Sequence, residues 1–339
     1  MMKDLKNYSL KELRTLICDS GGKAYMADYI FRFIHQKNIN EIDEITTISK
    51  NLRTALKEQG FFISSLKPVK EYKDADGTKK YLFELSDSNR IETVILHDGK
   101  RITLCISTQA GCNMGCVFCA TARKKLVRNL SAAEIIDQLY YVNSQRQSVT
   151  NIVYMGMGEP LDNYKNSIKS LQILTCSEGK NIAQKHITIS TCGIADMIEE
   201  LADERVKPRL AVSLNAPTEK GRKKLMPVTK HYSLKRLEKS ILYFQRRTRQ
   251  RVTFEYILLK GINDSTEDAR RTAALLKRFR CNVNLIEYNP HPQCRFKSSA
   301  QAVVKNFSHI LEDSGLTVTV RKKKGSSIRA ACGQLGSAN

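Results

Sequence analysis

Three cysteines lie close together in the chain with the spacing CxxxCxxC, at Cys112, Cys116 and Cys119. A structural zinc ion and an electron-transfer iron–sulfur cluster each take four protein ligands, and no fourth cysteine follows here at a matching short spacing. Three thiolates on one tight loop would leave one cluster iron open to another molecule. With ten cysteines in the chain, chance clustering and half of a zinc site are the alternatives, but the specific spacing favours the cluster.

The sequence around this triplet resembles that of a known family. Phe118 directly precedes the last cysteine, as in the radical S-adenosylmethionine (radical-SAM) enzymes, whose open iron chelates S-adenosylmethionine (SAM). Cys105 lies just upstream in CISTQAGC, residues 155–160 read MGMGEP, and residues 330–335 read AACGQL. In this order the stretches resemble the RNA adenine methyltransferases of the RlmN/Cfr family, and the likeness covers nearly the whole chain.

The resemblance implies a [4Fe-4S] cluster on the three cysteines and two SAM molecules per turnover. The first SAM methylates the thiolate of Cys332, and the second is cleaved by an electron from the cluster. The resulting radical takes a hydrogen atom from the Cys332 methyl group, whose carbon then adds to adenine. Cys105 attacks the Cys332 sulfur, so that a disulfide forms and the product leaves. Glu92 matches the family's proton acceptor for the ring hydrogen.

The residues that would hold SAM follow from the same resemblance. The glycines of MGMGEP let the backbone approach a ligand closely, and a glutamate can accept hydrogen bonds from an ammonium group. Polar residues after other predicted strands coincide with the family's cofactor contacts, although each alone is also typical of a cap or a turn. The cofactor-binding candidates are Gly158, Glu159, Ser190, Ser213, Leu214, Asn215 and Asn289.

The charge of the chain predicts a polyanionic partner. Lys and Arg number 56 against 34 Asp and Glu, which gives a net charge of +22. Four basic runs favour an RNA-binding surface over membrane attraction, because no apolar helix face accompanies the charge. The runs are residues 124–125, 222–224, 246–251 and 321–324.

The remaining composition predicts a cytoplasmic protein. No stretch approaches the roughly twenty apolar residues that span a bilayer, and the N-terminal residues lack the apolar core of a secretory signal. Ten cysteines without an export signal indicate a reducing compartment. We interpret the cysteines that lie outside any motif as ordinary core or surface residues: Cys18, Cys176, Cys192, Cys281 and Cys294.

The elements that must position these residues fall into three predicted regions. Residues 1–65 have helical periodicity and form an accessory domain that could dock on RNA, or merely cap the barrel. Residues 66–100 read as a β-hairpin linker. Residues 101–339 alternate strands and helices and end in a flexible-looking tail that carries Cys332.

Within the third region, six strands are predicted at 102–107, 151–155, 186–190, 209–214, 252–258 and 282–287. Helices fit after them at 131–144, 163–176, 195–203, 233–246, 265–279 and 299–313. Six such units are too few for an eight-stranded barrel. The fold class is therefore α/β, with a partial (βα)6 radical-SAM barrel, as the resemblance also implies.

Together these observations predict a radical-SAM methyltransferase that methylates an adenine in 23S rRNA, and the resemblance implies that the methyl group is added to carbon-2. The resemblance adds the adenine 3′ of the anticodon in some tRNAs, and an electron donor such as flavodoxin or ferredoxin. We expect a monomer. A Cfr-like carbon-8 enzyme, which would confer antibiotic resistance, is the close alternative. A non-catalytic RNA-binding protein with a zinc or relic cluster site is the alternative from another class.

Overall fold

A computed structural model of the protein describes residues 3–292 and 294–336. The first part of the chain is helical, as its apolar periodicity predicts. Its elements are β1 (Lys3–Asp4), α1 (Leu10–Asp19), α2 (Ala24–His35), α3 (Lys50–Glu58) and β2 (Phe61–Phe62). β1 and β2 pair in parallel and join the two ends of this region. Ser9 and Glu12 form a capping box at the start of α1, so the position of this helix is set locally.

Ten strands of the remaining chain form one sheet. They are β3 (Pro68–Lys73), β4 (Lys79–Glu84), β5 (Arg90–Asp98), β6 (Arg101–Cys105), β9 (Asn151–Tyr154), β10 (Ile187–Thr191), β11 (Arg209–Ser213), β12 (Val252–Leu258), β13 (Cys281–Glu287) and β14 (Thr317–Arg321). Their order across the sheet is β14-β13-β12-β11-β10-β9-β6-β5-β4-β3. Neighbours from β6 to β14 are parallel, whereas β5, β4 and β3 continue the sheet in antiparallel pairs. A separate antiparallel pair consists of β7 (Gln109–Ala110) and β8 (Arg128–Asn129).

Six helices follow the first six parallel strands and confirm the partial (βα)6 barrel. They are α4 (Ala132–Ser144), α5 (Tyr164–Thr175), α6 (Ala195–Asp203), α8 (Leu234–Thr248), α9 (Thr266–Leu276) and α10 (Gln301–Asp313). The elements that are not predicted from the sequence include the short helix α7 (Glu219–Leu225), the final parallel strand β14 and the two-residue strands β1, β2, β7 and β8. Across the described ranges, no helix combines the length and apolar composition that crossing a membrane requires.

The helical region is joined to the barrel by a buried ion pair. Lys6 Nζ lies 2.6 Å from Asp137 Oδ1 on α4, and both side chains are at most 2% exposed. Lys6 also donates to Ser64 O at 2.5 Å, and Ser64 Oγ donates to Asp137 Oδ2 at 2.9 Å. Burying two charges is costly unless they are paired and hydrogen-bonded, and here each has an additional partner. The pair therefore fixes the helical region against α4.

We expect Asp137→Asn to lower the free energy of unfolding by about 3–5 kcal/mol, because it leaves the charge of Lys6 buried without a carboxylate. Asp43→Asn is the matched control, since Asp43 pairs with Lys57 at 2.8 Å on the surface, and it should leave stability almost unchanged. Denaturant unfolding of both variants measures the difference. Equal losses in the two variants would contradict the role given to the buried pair.

Candidate active site at the carboxyl ends of the parallel strands

The loop between β6 and α4 carries the cysteine triplet. In parallel α/β folds the loops at the carboxyl ends of the strands form the active site. This loop follows a fixed path, because it is hydrogen-bonded to two neighbouring segments. Cys112 N donates to Lys124 O at 3.1 Å, and Val117 N donates to Leu225 O, at the end of α7, at 3.0 Å.

The three thiols border a cavity of about 840 Å³. Residues at or just after the carboxyl ends of β9, β10 and β11 form much of its wall, together with side chains of β12, β13 and β14. Most of the residues that the sequence predicts for the site line this cavity, namely Cys112, Cys116, Cys119, Gly158, Glu159, Ser190, Ser213, Asn215 and Cys332. We call it the cluster cavity.

A second cavity of about 640 Å³ adjoins the first and is lined by Cys105, Asn289 and Cys332. We call it the thiol cavity. Cys332 and Arg321 line both cavities. The structure therefore brings the two thiols with predicted catalytic roles to one space, and places Cys332 at the border with the cluster cavity.

Two predicted site residues line neither cavity. Leu214 is buried behind the wall, where its main-chain N donates to Glu255 O at 2.9 Å. Glu92 lies on β5 and is 1% exposed. Its Oε1 lies 2.9 Å from Lys80 Nζ, and its Oε2 accepts a hydrogen bond from Gly336 N at 2.5 Å.

The segment after β9 presents Glu159 to the cluster cavity. Gly158 has a φ of +97°, and a Cβ there would lie 2.5 Å from Gln109 Cβ, so only glycine fits. The Glu159 carboxylate accepts from Cys192 N at 2.8 Å and from Leu161 N at 3.1 Å. Burial raises the pKa of this carboxyl, although the hydrogen bonds oppose the shift.

Asn215 turns the chain after β11 and adopts a left-handed conformation with a φ of +57°. Its Oδ1 accepts from Ile257 N, and its main-chain O accepts from Asn263 Nδ2, both at 2.8 Å. Asparagine tolerates this backbone conformation better than most residues. The side chain of Asn215 thus lines the cavity while it also holds the neighbouring strand β12.

Burial disfavours the thiolate form of Cys105 and of the three motif cysteines. Burial raises the pKa of Cys105 and Cys112 to about 12, and it also raises the pKa of Cys116 and Cys119. Metal ligation would require these thiols to lose their protons, so binding a metal would release protons.

The thiol arrangement is compatible with an iron–sulfur cluster. Among residues 3–292 and 294–336, no three His, Cys, Asp or Glu side chains converge on a point that could hold a single metal ion. In an iron–sulfur cluster the thiolates bind different irons, so they surround a volume and do not converge on a point. Three thiols spread around one cavity satisfy that requirement.

Two charged residues of the site are missed by sequence reasoning. Arg321 is predicted as part of a basic surface run, but it lines both cavities and lies 3.9 Å from Glu255 Oε2. Glu255 is 5% exposed on β12, where its Oε1 accepts from Asn284 Nδ2 at 2.9 Å. The sequence signal for Glu255 was its position inside an otherwise apolar predicted strand. A glutamate is seldom buried without a specific partner, so this position could have indicated a role in the site.

Arg222 also departs from its expected place on a basic surface. It is fully buried on α7, and no carboxylate in the described chain lies within ion-pair distance of it. Its guanidinium donates to Thr229 Oγ1 at 2.7 Å, to Ser213 O at 3.2 Å and to Cys192 O. Arg222 therefore ties together the segments that follow β10 and β11 behind the cluster cavity.

The cysteines outside the motif differ in their surroundings. Cys192, predicted as an ordinary core or surface residue, lines the cluster cavity. Cys294 Sγ donates to Val117 O in the cysteine loop at 3.5 Å. Cys18 is exposed, Cys281 is buried in β13, and Cys176 is partly buried on the outside of the barrel.

Comparisons with known proteins agree with this fold. The profile of the Radical SAM superfamily matches residues 106–273, and that of the ribosomal RNA large subunit methyltransferase N-terminal domain matches residues 3–61. The crystal structure of a radical SAM methyltransferase from Sphaerobacter thermophilus superposes with a TM-score of 0.93 at 38% identity, and each chain is covered completely. The protein is a radical-SAM methyltransferase.

Two curated relatives define the family more closely. A protein of Geotalea uraniireducens, named dual-specificity RNA methyltransferase RlmN, is 42% identical over 332 residues, which are 98% of this chain and 96% of its own. A protein of Thermotoga maritima, named probable dual-specificity RNA methyltransferase RlmN, is 44% identical over 336 residues, 98% and 97% of the two chains. The chain belongs to the RlmN family. Membership implies a [4Fe-4S] cluster and SAM, which the cluster cavity fits.

Proposed function

We propose that the protein methylates carbon-2 of an adenine in 23S rRNA and of the adenine 3′ of the anticodon in some tRNAs. The observation that carries the proposal is the position of Cys332 at the border of both cavities, beside the cysteine loop on one side and Cys105 on the other. Support for two kinds of RNA comes from the relatives, whose names describe dual-specificity RNA methyltransferases.

In this proposal the cluster cavity binds two SAM molecules in succession. Glu159, Ser190 and Ser213 lie where they can hydrogen-bond to the polar groups of SAM. Cys112, Cys116 and Cys119 would hold the cluster, which would supply the electron for cleavage of SAM. The Cys332 sulfur borders the same cavity, so it would lie where it can receive a methyl group from SAM.

Release of the product falls to Cys105 in the thiol cavity. Attack of the Cys105 thiolate on the Cys332 sulfur would break the sulfur–carbon bond and form a disulfide. The ring-bound methylene carbon would take up a proton to become the methyl group, and the surplus electron of the radical adduct would return to the oxidised cluster. Burial raises the pKa of Cys105 to about 12, while the charge of Arg321 in the same cavity acts in the opposite direction. Arg321 therefore favours the thiolate that the attack requires.

Glu92 is the proposed acceptor of the ring proton. Its carboxylate is engaged by Lys80 and by Gly336 N, so acceptance requires the Gly336 hydrogen bond to open. Opening of this one hydrogen bond would free Oε2 for this step while the contact of Lys80 with Arg329 O stays in place.

The RNA would approach the thiol cavity, whose lining includes Lys322, Lys323 and Lys324. Lys322 and Lys323 are exposed and can contact phosphates, whose neutralisation releases counterions and favours binding. The adenine must leave its stack to reach Cys332, as in other enzymes that modify bases. We further propose a cytoplasmic monomer that is reduced by a donor such as flavodoxin or ferredoxin.

Isotope loss from the adenine tests the assignment of carbon-2. With anaerobically reconstituted enzyme, an rRNA fragment deuterated at carbon-2 of its target adenine should lose the label as it gains a methyl group. The matched fragment deuterated at carbon-8 should keep its label, and mass spectrometry distinguishes the two. Loss from carbon-8 would instead support the Cfr-like alternative, which the RlmN names of the relatives do not favour.

A further inference from the structure

Lys80 and Glu92 form a buried ion pair on the antiparallel part of the sheet. They lie on the same face of β4 and β5, where Lys80 is opposite Val94 and Glu92 is opposite Leu82. Lys80 Nζ and Glu92 Oε1 are 2.9 Å apart but lack hydrogen-bond alignment, and each residue is 1% exposed. A pair buried this deeply needs further hydrogen bonds to offset its desolvation.

Both charged groups find those further partners in one segment, residues 329–336. Lys80 Nζ donates to Arg329 O at 3.2 Å, and Glu92 Oε2 accepts from Gly336 N at 2.5 Å. The two contacts are to main-chain atoms and flank Cys332, three residues before it and four residues after it. Hydrogen bonds in which one group is charged are among the stronger ones in proteins.

The backbone of the segment also needs an external constraint. Arg329 has a φ of +52°, which is in the left-handed region. This conformation is energetically unfavourable for any residue other than glycine. The Lys80 contact is made to the carbonyl of this same residue. Without it, the turn that leads into Cys332 would lose one of the interactions that keep it in this conformation.

We propose that the Lys80–Glu92 pair is a clamp that fixes residues 329–336 and holds Cys332 at the border of the two cavities. Lys80 is thus a positioning residue for the reaction, and this consequence for catalysis rests on the proposed function. Lys80 and Glu92 lie on strands β4 and β5, outside the (βα)6 barrel. The antiparallel extension of the sheet would thus contribute to the reaction by positioning Cys332.

Other contacts hold the same tail. Within the segment, Ala120 N donates to Gly333 O at 2.8 Å, Thr121 Oγ1 donates to Leu335 O at 2.7 Å, and Gln334 Nε2 donates to Pro290 O at 2.8 Å, all between neutral groups. Before the segment, Asp76 Oδ2 accepts from Gly325 N at 2.9 Å, and Asp74 Oδ2 accepts from Ser327 N at 3.1 Å. The clamp adds hydrogen bonds from one buried pair of charges to both flanks of Cys332.

Lys80→Met tests the clamp, with Lys79→Met as the matched control. Lys79 lies next to it on β4 but pairs with Glu71, and its side chain is 25% exposed. In hydrogen–deuterium exchange of the reconstituted enzyme, Lys80→Met should speed exchange of the peptide covering residues 329–336 roughly ten-fold or more, as loss of a hydrogen bond to a charged group predicts. Lys79→Met should leave that peptide unchanged.

A second measurement asks whether the clamp positions the thiol. The rate of Cys332 methylation by SAM, followed by peptide mass spectrometry, should fall by a similar factor in Lys80→Met, while the KM for SAM stays within about two-fold. Lys80→Arg keeps a cationic donor and should restore part of the rate. Because Lys80→Met leaves Glu92 buried and unpaired, the double variant Lys80→Met/Glu92→Gln provides a test without that charge; its Gln can still accept from Gly336 N.

Unchanged exchange of residues 329–336 in both the single and the double variant would overturn the proposal. So would faster exchange with an unaltered rate of Cys332 methylation, because the segment would then not position the thiol. If the unsubstituted enzyme fails to methylate Cys332 at all, the proposed function fails, whereas the exchange experiment still decides whether the clamp exists.

Discussion

Cys105→Ala should accumulate a covalent protein–RNA adduct, whereas Cys332→Ala should form neither adduct nor product. Cys332 carries the methyl group in the proposed reaction, so its loss removes the covalent step and should lower turnover by at least about a thousand-fold. Cys105 acts only afterwards, so its loss leaves the bond between protein and RNA in place. Denaturing gels of each variant, incubated anaerobically with RNA, reductant and SAM, display the adduct as a shifted band.

Cys281→Ala serves as the control for removal of a buried thiol, because Cys281 lies in β13 and lines neither cavity. It should release product at the normal rate and show no shifted band. Normal turnover by Cys332→Ala would refute the methyl-cysteine mechanism even in an enzyme with an intact cluster.

Loss of any one cysteine of the triplet should abolish both the cluster and all methylation. The loop offers three thiols, so an alanine at Cys112, Cys116 or Cys119 leaves two, which is too few to hold a [4Fe-4S] cluster. Iron analysis and the visible absorption of the reconstituted protein measure the cluster, and turnover measures the activity.

Cys294→Ala is the matched control for this experiment. Its thiol donates to Val117 O within the same loop but belongs to no motif. Iron content should therefore remain close to that of the unsubstituted protein. Stoichiometric zinc with retained activity would exclude the radical mechanism.

Three of the six barrel helices, α4, α8 and α9, begin at a serine cap that the local sequence encodes. Ser131 and Glu134 predict the beginning of α4, and the structure has that capping box with the helix from Ala132. The edge strand β14 gave a weaker signal, because each of its five residues is at least partly exposed and its apolar positions are few. The seven-residue α7, with Gly221 in its interior, also falls below what periodicity detects.

The cysteine loop could be predicted for a similar reason, since its three thiols lie within eight residues of sequence. Contacts between segments that are distant in the sequence could not be predicted. Arg222 and Arg321 belong to basic runs that read as surface, and only the packing of strand ends turns them inward. The pairing of Lys80 with Glu92 depends on the register between β4 and β5, which periodicity alone does not fix.

The ion pair between Lys6 and Asp137 bears on the proposed binding of RNA. Because it fixes the chain before the barrel against α4, helices α1–α3 are held at a defined place beside the barrel. An RNA that contacts these helices and also places its adenine in the thiol cavity must span the distance between the two. Two RNAs of unrelated sequence meet this requirement equally well when their folded shapes offer the same span.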